Sequence, residues 1–165
     1  MAVLLCAAVL FGFGGCGLRR AKTVGTDVKQ SDVTDFYYTV SSSTNPPSYQ
    51  RYRFYAENGA YFFFHETREG DHWPLTEADA TVSGTVELPE EQWNAFFDCI
   101  SGGTVRNREE HTESGGSGPW LYLYWNGDRS KIREFSFESY GKQLAFEELC
   151  AGLAAGNPDG TRERN

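Results

Sequence analysis

At 165 residues, with 39% hydrophobic side chains, the chain suits one domain with a single modest core plus appendages. A formal net charge of -8 argues against a nucleic-acid binder, because phosphate contacts require clustered Lys and Arg. Twelve Phe, nine Tyr and four Trp tilt the composition toward sheet, since aromatic rings fit a pleated, half-buried surface.

The first segment, residues 1–15 (MAVLLCAAVLFGFGG), has no charged side chain. Its apolar run from Ala2 to Phe13 is shorter than the roughly 20 residues of a spanning helix and matches the apolar core of a signal peptide. The residues Phe13-Gly14-Gly15-Cys16 then resemble the lipobox of bacterial lipoproteins, in which small residues precede a Cys that is lipidated and becomes the mature N-terminus. That resemblance implies acylation of Cys16, a membrane partner through the lipid, and an extracytoplasmic location. Plain secretion is one alternative; an inserted helix with Arg19, Arg20 and Lys22 as its cytoplasmic flank is the other. Residues 16–32, polar and without an apolar period, are expected to be a flexible tether.

The domain is expected over residues 33–156. Val33 to Val40 (VTDFYYTV) is a strand, ended by the Ser- and Pro-rich stretch Ser41 to Ser48. Tyr52 to Glu57 and Ala60 to Glu66 flank Asn58-Gly59, the pair that tolerates the positive φ angles of a type I′ hairpin turn. A two-residue turn sets Phe54 opposite Phe63 and Tyr52 opposite His65. Tyr52, Phe54, Tyr61, Phe63 and His65 then share one face, and Arg51, Arg53, Tyr55, Phe62 and Phe64 the other. With neither face cleanly polar, the pair belongs inside a sheet.

After a polar loop from Thr67 to Ala80, the alternation of Thr81 to Leu88 predicts another strand. Pro89, Glu90 and Glu91 then open a helix in which Trp93, Phe96, Phe97 and Ile100 form one buried stripe, closed by Gly102-Gly103. Thr104 to Arg108 reads as a short strand and His111 to Gly118 as a loop. Trp120 to Phe137 forms a second hairpin around Asn126-Gly127, in which a two-residue turn would place Leu121 opposite Ile132 and a longer loop would shift that register. Leu144, Phe146, Leu149, Cys150 and Leu153 mark the apolar side of a closing helix, and residues 157–165 read as a disordered tail.

Strands joined by hairpins and interrupted by helices predict an α+β domain: an antiparallel sheet of two hairpins plus extra strands, with both helices packed on one face. The hairpin-then-helix order occurs twice, as an internal duplication would produce. Trp120, Leu121, Leu123, Tyr124 and Gly127, followed by Phe146 and Leu149, resemble the aromatic hairpin and final helix of uncharacterised small lipoproteins of Gram-positive gut bacteria. The resemblance implies a location and a fold, and no catalytic residues.

Few residues carry a chemical signal. Cys99 and Cys150 sit at equivalent places in the two helices, and an exported chain meets an oxidising environment. A disulfide closing a loop of about 50 residues would add on the order of 4 kcal/mol, while two buried free thiols are the equal alternative. His65, Glu66, Glu69, Asp71 and His72 are the densest set of potential metal ligands, with His111 on a distant loop. The second His lies seven residues after the first rather than the four of HExxH, so a charged surface loop is the stronger reading. Trp120, Tyr122 and Tyr124 would point away from the helices, either as ordinary rings on the outer face of the sheet under the long loops, which is the stronger reading, or as an aromatic surface for an envelope protein or glycan. The expected protein is therefore a monomeric, lipid-anchored binding or interaction domain, not an enzyme, and without a cofactor. A metal-assisted hydrolase using residues 65–72 is the alternative.

Overall fold

A computed structural model describes residues 21–109 and 118–156. The expected signal peptide, Cys16, His111 and the tail from residue 157 lie outside the described residues. The strands in chain order are β1 (Lys22–Thr23), β2 (Val33–Ser42), β3 (Ser48–Glu57), β4 (Ala60–Glu69) and β5 (Ala80–Leu88). They are followed by α1 (Glu90–Ile100), β6 (Thr104–Arg108), β7 (Trp120–Trp125), β8 (Ile132–Ser136) and α2 (Tyr140–Ala155). The strands form one open, eight-stranded antiparallel sheet ordered β1-β6-β8-β7-β2-β3-β4-β5. This is the expected α+β architecture, with β3 and β4 inside the sheet.

Both helices cover the same face, and aromatic packing explains why. Inward alternation along β2, β3 and β4 delivers Phe36, Phe54 and Phe63, all fully buried. From α1, Phe96 stacks on Phe54 at 4.1 Å and Trp93 stacks on Tyr61 at 4.4 Å. From α2, Phe146 meets the Phe36 ring edge-on at 5.3 Å. Burial of each such ring stabilises the fold by roughly 1.5–3 kcal/mol, so the rings hold the layers together. The α1 stripe of Trp93, Phe96 and Ile100 is fully buried, and Phe97 is half-buried. In α2 the buried positions are Phe146 and Cys150, whereas Leu144 is 39% exposed and falls outside the expected stripe.

The first hairpin follows its sequence. Asn58 and Gly59 both take positive φ, 52° and 82°, and the strands pair Phe54 with Phe63 and Tyr52 with His65. The second departs from the two-residue-turn register. Asn126 and Gly127 also take positive φ, 54° and 67°, yet Tyr122 pairs with Glu134 where a two-residue turn would give Lys131. Residues 128–131 form an added loop, in which Ser130 donates its N–H to Asp128 at 2.9 Å and Arg133 pairs with Asp128. An odd shift exchanges the faces of β8, so Phe135 is in the core and Ile132 is not.

The tether expected over residues 16–32 is, from residue 21, part of the domain. β1 pairs with β6, and Val24 and Val28 are 1% and 0% exposed in the core. Gly25, at φ 88°, lets the chain fold back so that its N–H reaches the Val28 carbonyl at 2.8 Å. The apolar pair four residues apart was too short a pattern to register as structure. Among the described residues, no helix is long and apolar enough to cross a membrane.

Candidate functional site

The side of the sheet opposite the helices is built largely from tyrosine, phenylalanine and arginine. β2 contributes Asp35, Tyr37 and Thr39; β3 contributes Tyr49, Arg51, Arg53 and Tyr55; β4 contributes Phe62, Phe64, Glu66 and Arg68; β7 contributes Tyr122 and Tyr124. The register brings Asp35 between Tyr55 on β3 and Tyr124 on β7. A bulge at Thr34 restores this alternation after Val33, which is buried in the core.

Asp35 organises one end of this face. Its side chain is only 5% exposed, yet it accepts two hydrogen bonds from Arg53, from Nε at 2.7 Å and Nη2 at 2.8 Å, and a further one from Arg129 Nη2. Fork-to-fork pairing of this kind is stronger than a neutral hydrogen bond and fixes both planes. Arg129 also donates to Tyr37 Oη at 3.2 Å, and burial pushes the Tyr37 hydroxyl pKa up, so the phenol stays protonated. The guanidinium carbon of Arg53 lies 4.3 Å from the Tyr55 ring centre, and that of Arg129 lies 5.2 Å from Tyr124. Together these groups line an open groove of about 420 Å³ bounded by Thr34, Asp35, Arg53, Tyr55, Glu57 and Arg129.

Two guanidinium groups share one carboxylate here, so one positive charge within the triad is left uncompensated. Arg53 remains 32% and Arg129 51% exposed, and both line the groove. Glu57 lines the same groove, so any incoming anion would have to lie on the Arg53 and Arg129 side, which Asp35 already orients.

Sequence-predicted residues fare unevenly against this geometry. Trp120, Tyr122 and Tyr124 do lie on the helix-free side, but Tyr122 and Tyr124 are 4% and 7% exposed. Neighbouring strands crowd them, with Tyr37 edge-on to Tyr124 at 6.3 Å and Arg129 above it, so they form a floor rather than an exposed patch. Cys99 and Cys150 are both free thiols on the two packed helices. Burial raises the pKa of each, most strongly at Cys150, and keeps both protonated.

The expected metal-ligand segment does not converge. His65 is buried on the helix side, stacked against Phe63 at 5.8 Å, and burial lowers its pKa. Glu66, the next residue, points to the opposite face and is held by Arg68 at 3.0 Å. His72 lies on the exposed loop 3.5 Å from Asp79. Successive strand residues face opposite ways, so His65 and Glu66 cannot share an ion. Among the described residues, no three His, Cys, Asp or Glu side chains could hold one.

Sequence spacing does not single out the triad: it sets Arg53 on this face, but Asp35 lies inside an otherwise apolar strand and Arg129 in a turn. The usable signal was the alternation in Tyr49-Gln50-Arg51-Tyr52-Arg53-Phe54-Tyr55, which sets cations and rings on one face. No protein-family model, no curated protein and no solved structure matches the chain.

Proposed function

We propose that the chain is an exported, lipid-anchored cell-envelope protein that binds rather than catalyses, and that its groove holds a carboxylate-bearing envelope polymer. The observation that carries the binding reading is the pair of partly exposed guanidinium groups that Asp35 orients on one side of an open groove, with Glu57 as the other charged lining. Arginine is suited to this task because its planar fork presents paired donors to a carboxylate. The signal-like run and lipobox at Cys16 support the location.

Two measurements test it. Mass spectrometry of the mature N-terminus should find diacylglycerol on Cys16, and Cys16→Ser should release the chain from the membrane fraction. The wild-type chain should sediment with purified cell-wall polymer, and do so at least tenfold less once the polymer carboxylates are amidated or Arg129 is changed to Ala. Equal sedimentation with native and amidated polymer would remove the carboxylate reading, whatever the N-terminus carries.

A further inference from the structure

We propose that β5 is a pairing edge through which two copies of this chain join into one continuous sheet. The two ends of the sheet are unequal: β1 is two residues long, whereas β5 at the other end runs nine. An end strand carries a row of N–H and C=O groups with no ladder partner, and native chains usually blunt such rows with Lys, Pro or short length. β5, with the sequence ATVSGTVEL, contains no Lys, Arg or Pro, and its single charge is Glu87. Its one irregularity against β4 lies at Thr81, near the start, and from Val82 to Leu88 the strand is regular.

The strand is also complementary to itself. A two-fold axis through Gly84 sets Val82 against Val86 of the second copy and Ser83 against Thr85, on the helix side and the opposite side respectively. Val82, 45% exposed, is the only large hydrophobic exposed within a strand among the described residues, and this register covers it. Like charges do not meet, since Glu87 falls opposite Thr81. A second copy fits these features better than an unrelated peptide, because each strand supplies the apolar and hydroxyl partners that the other needs.

Cysteine cross-linking of the full chain in membranes tests the pairing. Gly84 is not at positive φ, so Gly84→Cys calls for no left-handed backbone. Under mild oxidation it should run at twice the chain mass on a non-reducing gel, whereas wild type and Glu87→Cys, whose copies lie about 20 Å apart, should not. Adding Val82→Lys should cut the dimer at least tenfold. Copies with Val82→Cys mixed with copies with Val86→Cys should link to each other, a readout independent of position 84. The proposal is overturned if neither experiment yields dimer, as when a peptide or another segment covers β5, if positions 84 and 87 link equally, or if Val82→Lys has no effect.

Discussion

The helix-free face buries two carboxylates at its two ends, and they are neutralised differently. Glu66, 8% exposed at its side chain, meets a single cation, Arg68, which is itself only 11% exposed and lies with its guanidinium 4.3 Å from the Tyr49 ring. Asp35, 5% exposed, meets two cations that are one-third and one-half exposed. The first end pairs one buried carboxylate with one buried cation; at the second, two partly exposed cations share one buried carboxylate beside an open groove that Glu57 also lines. The same chemistry thus serves structure at one end, where Glu66 and Arg68 match each other within the fold. At the other it leaves a recognition element.

Breaking the closed end should have the larger effect. Glu66→Ala leaves the Arg68 guanidinium buried without its carboxylate, an uncompensated charge that costs about 3–5 kcal/mol. Urea unfolding of the chain should show a clear drop in midpoint with an unchanged slope. A loss under about 1 kcal/mol would mean that water already reaches Arg68, and that the two ends do not differ as described.

At the open end, Asp35→Ala should destabilise less, by about 2 kcal/mol, because water can solvate both exposed guanidinium groups. The sharper test is rescue. Phosphate or acetate should restore part of the Asp35→Ala midpoint by binding between Arg53 and Arg129, with chloride at matched ionic strength as the control. The same anions should leave Glu66→Ala unchanged. Equal response of the two variants would erase the distinction between a matched pair and an open site.

The two hairpins explain how much of this was legible. Around Asn58-Gly59 the strands continue directly from the turn, so residue spacing alone gave the pairing and both faces. Around Asn126-Gly127 both turn residues again take positive φ, but the Asp128–Arg133 pair and the stacking of Arg133 on Trp125 at 3.6 Å hold an added loop. That loop carries Arg129 to Asp35, a contact across 94 positions of sequence. Local turn chemistry is readable because its determinants are adjacent; the site is not, since it depends on which strands become neighbours. The order β7-β2-β3 is what places Tyr124, Asp35 and Arg53 side by side.

The smallest effect expected comes from pH, and it distinguishes the two faces of β4. His65 adjoins Glu66 in sequence but lies under the helices, with Nε2 buried and without a hydrogen-bond partner, and burial lowers its pKa from 6.5. A folded pKa below the unfolded value means that the unfolded chain takes up the proton first. Stability is therefore full above pH 6.5 and declines as the pH falls from there toward the lower folded value. Exposed carboxylates titrate mainly below about pH 5, and because His72 and His111 are common to both chains, the difference between wild type and His65→Phe over about pH 6.5 to 5 reports the His65 imidazole. Thermal unfolding across that interval should show a falling midpoint in wild type and a flatter one in His65→Phe, whose ring can keep the stack on Phe63. An unchanged slope in His65→Phe would mean that another group takes up the proton, and that the helix-side face of β4 holds its imidazole in contact with water.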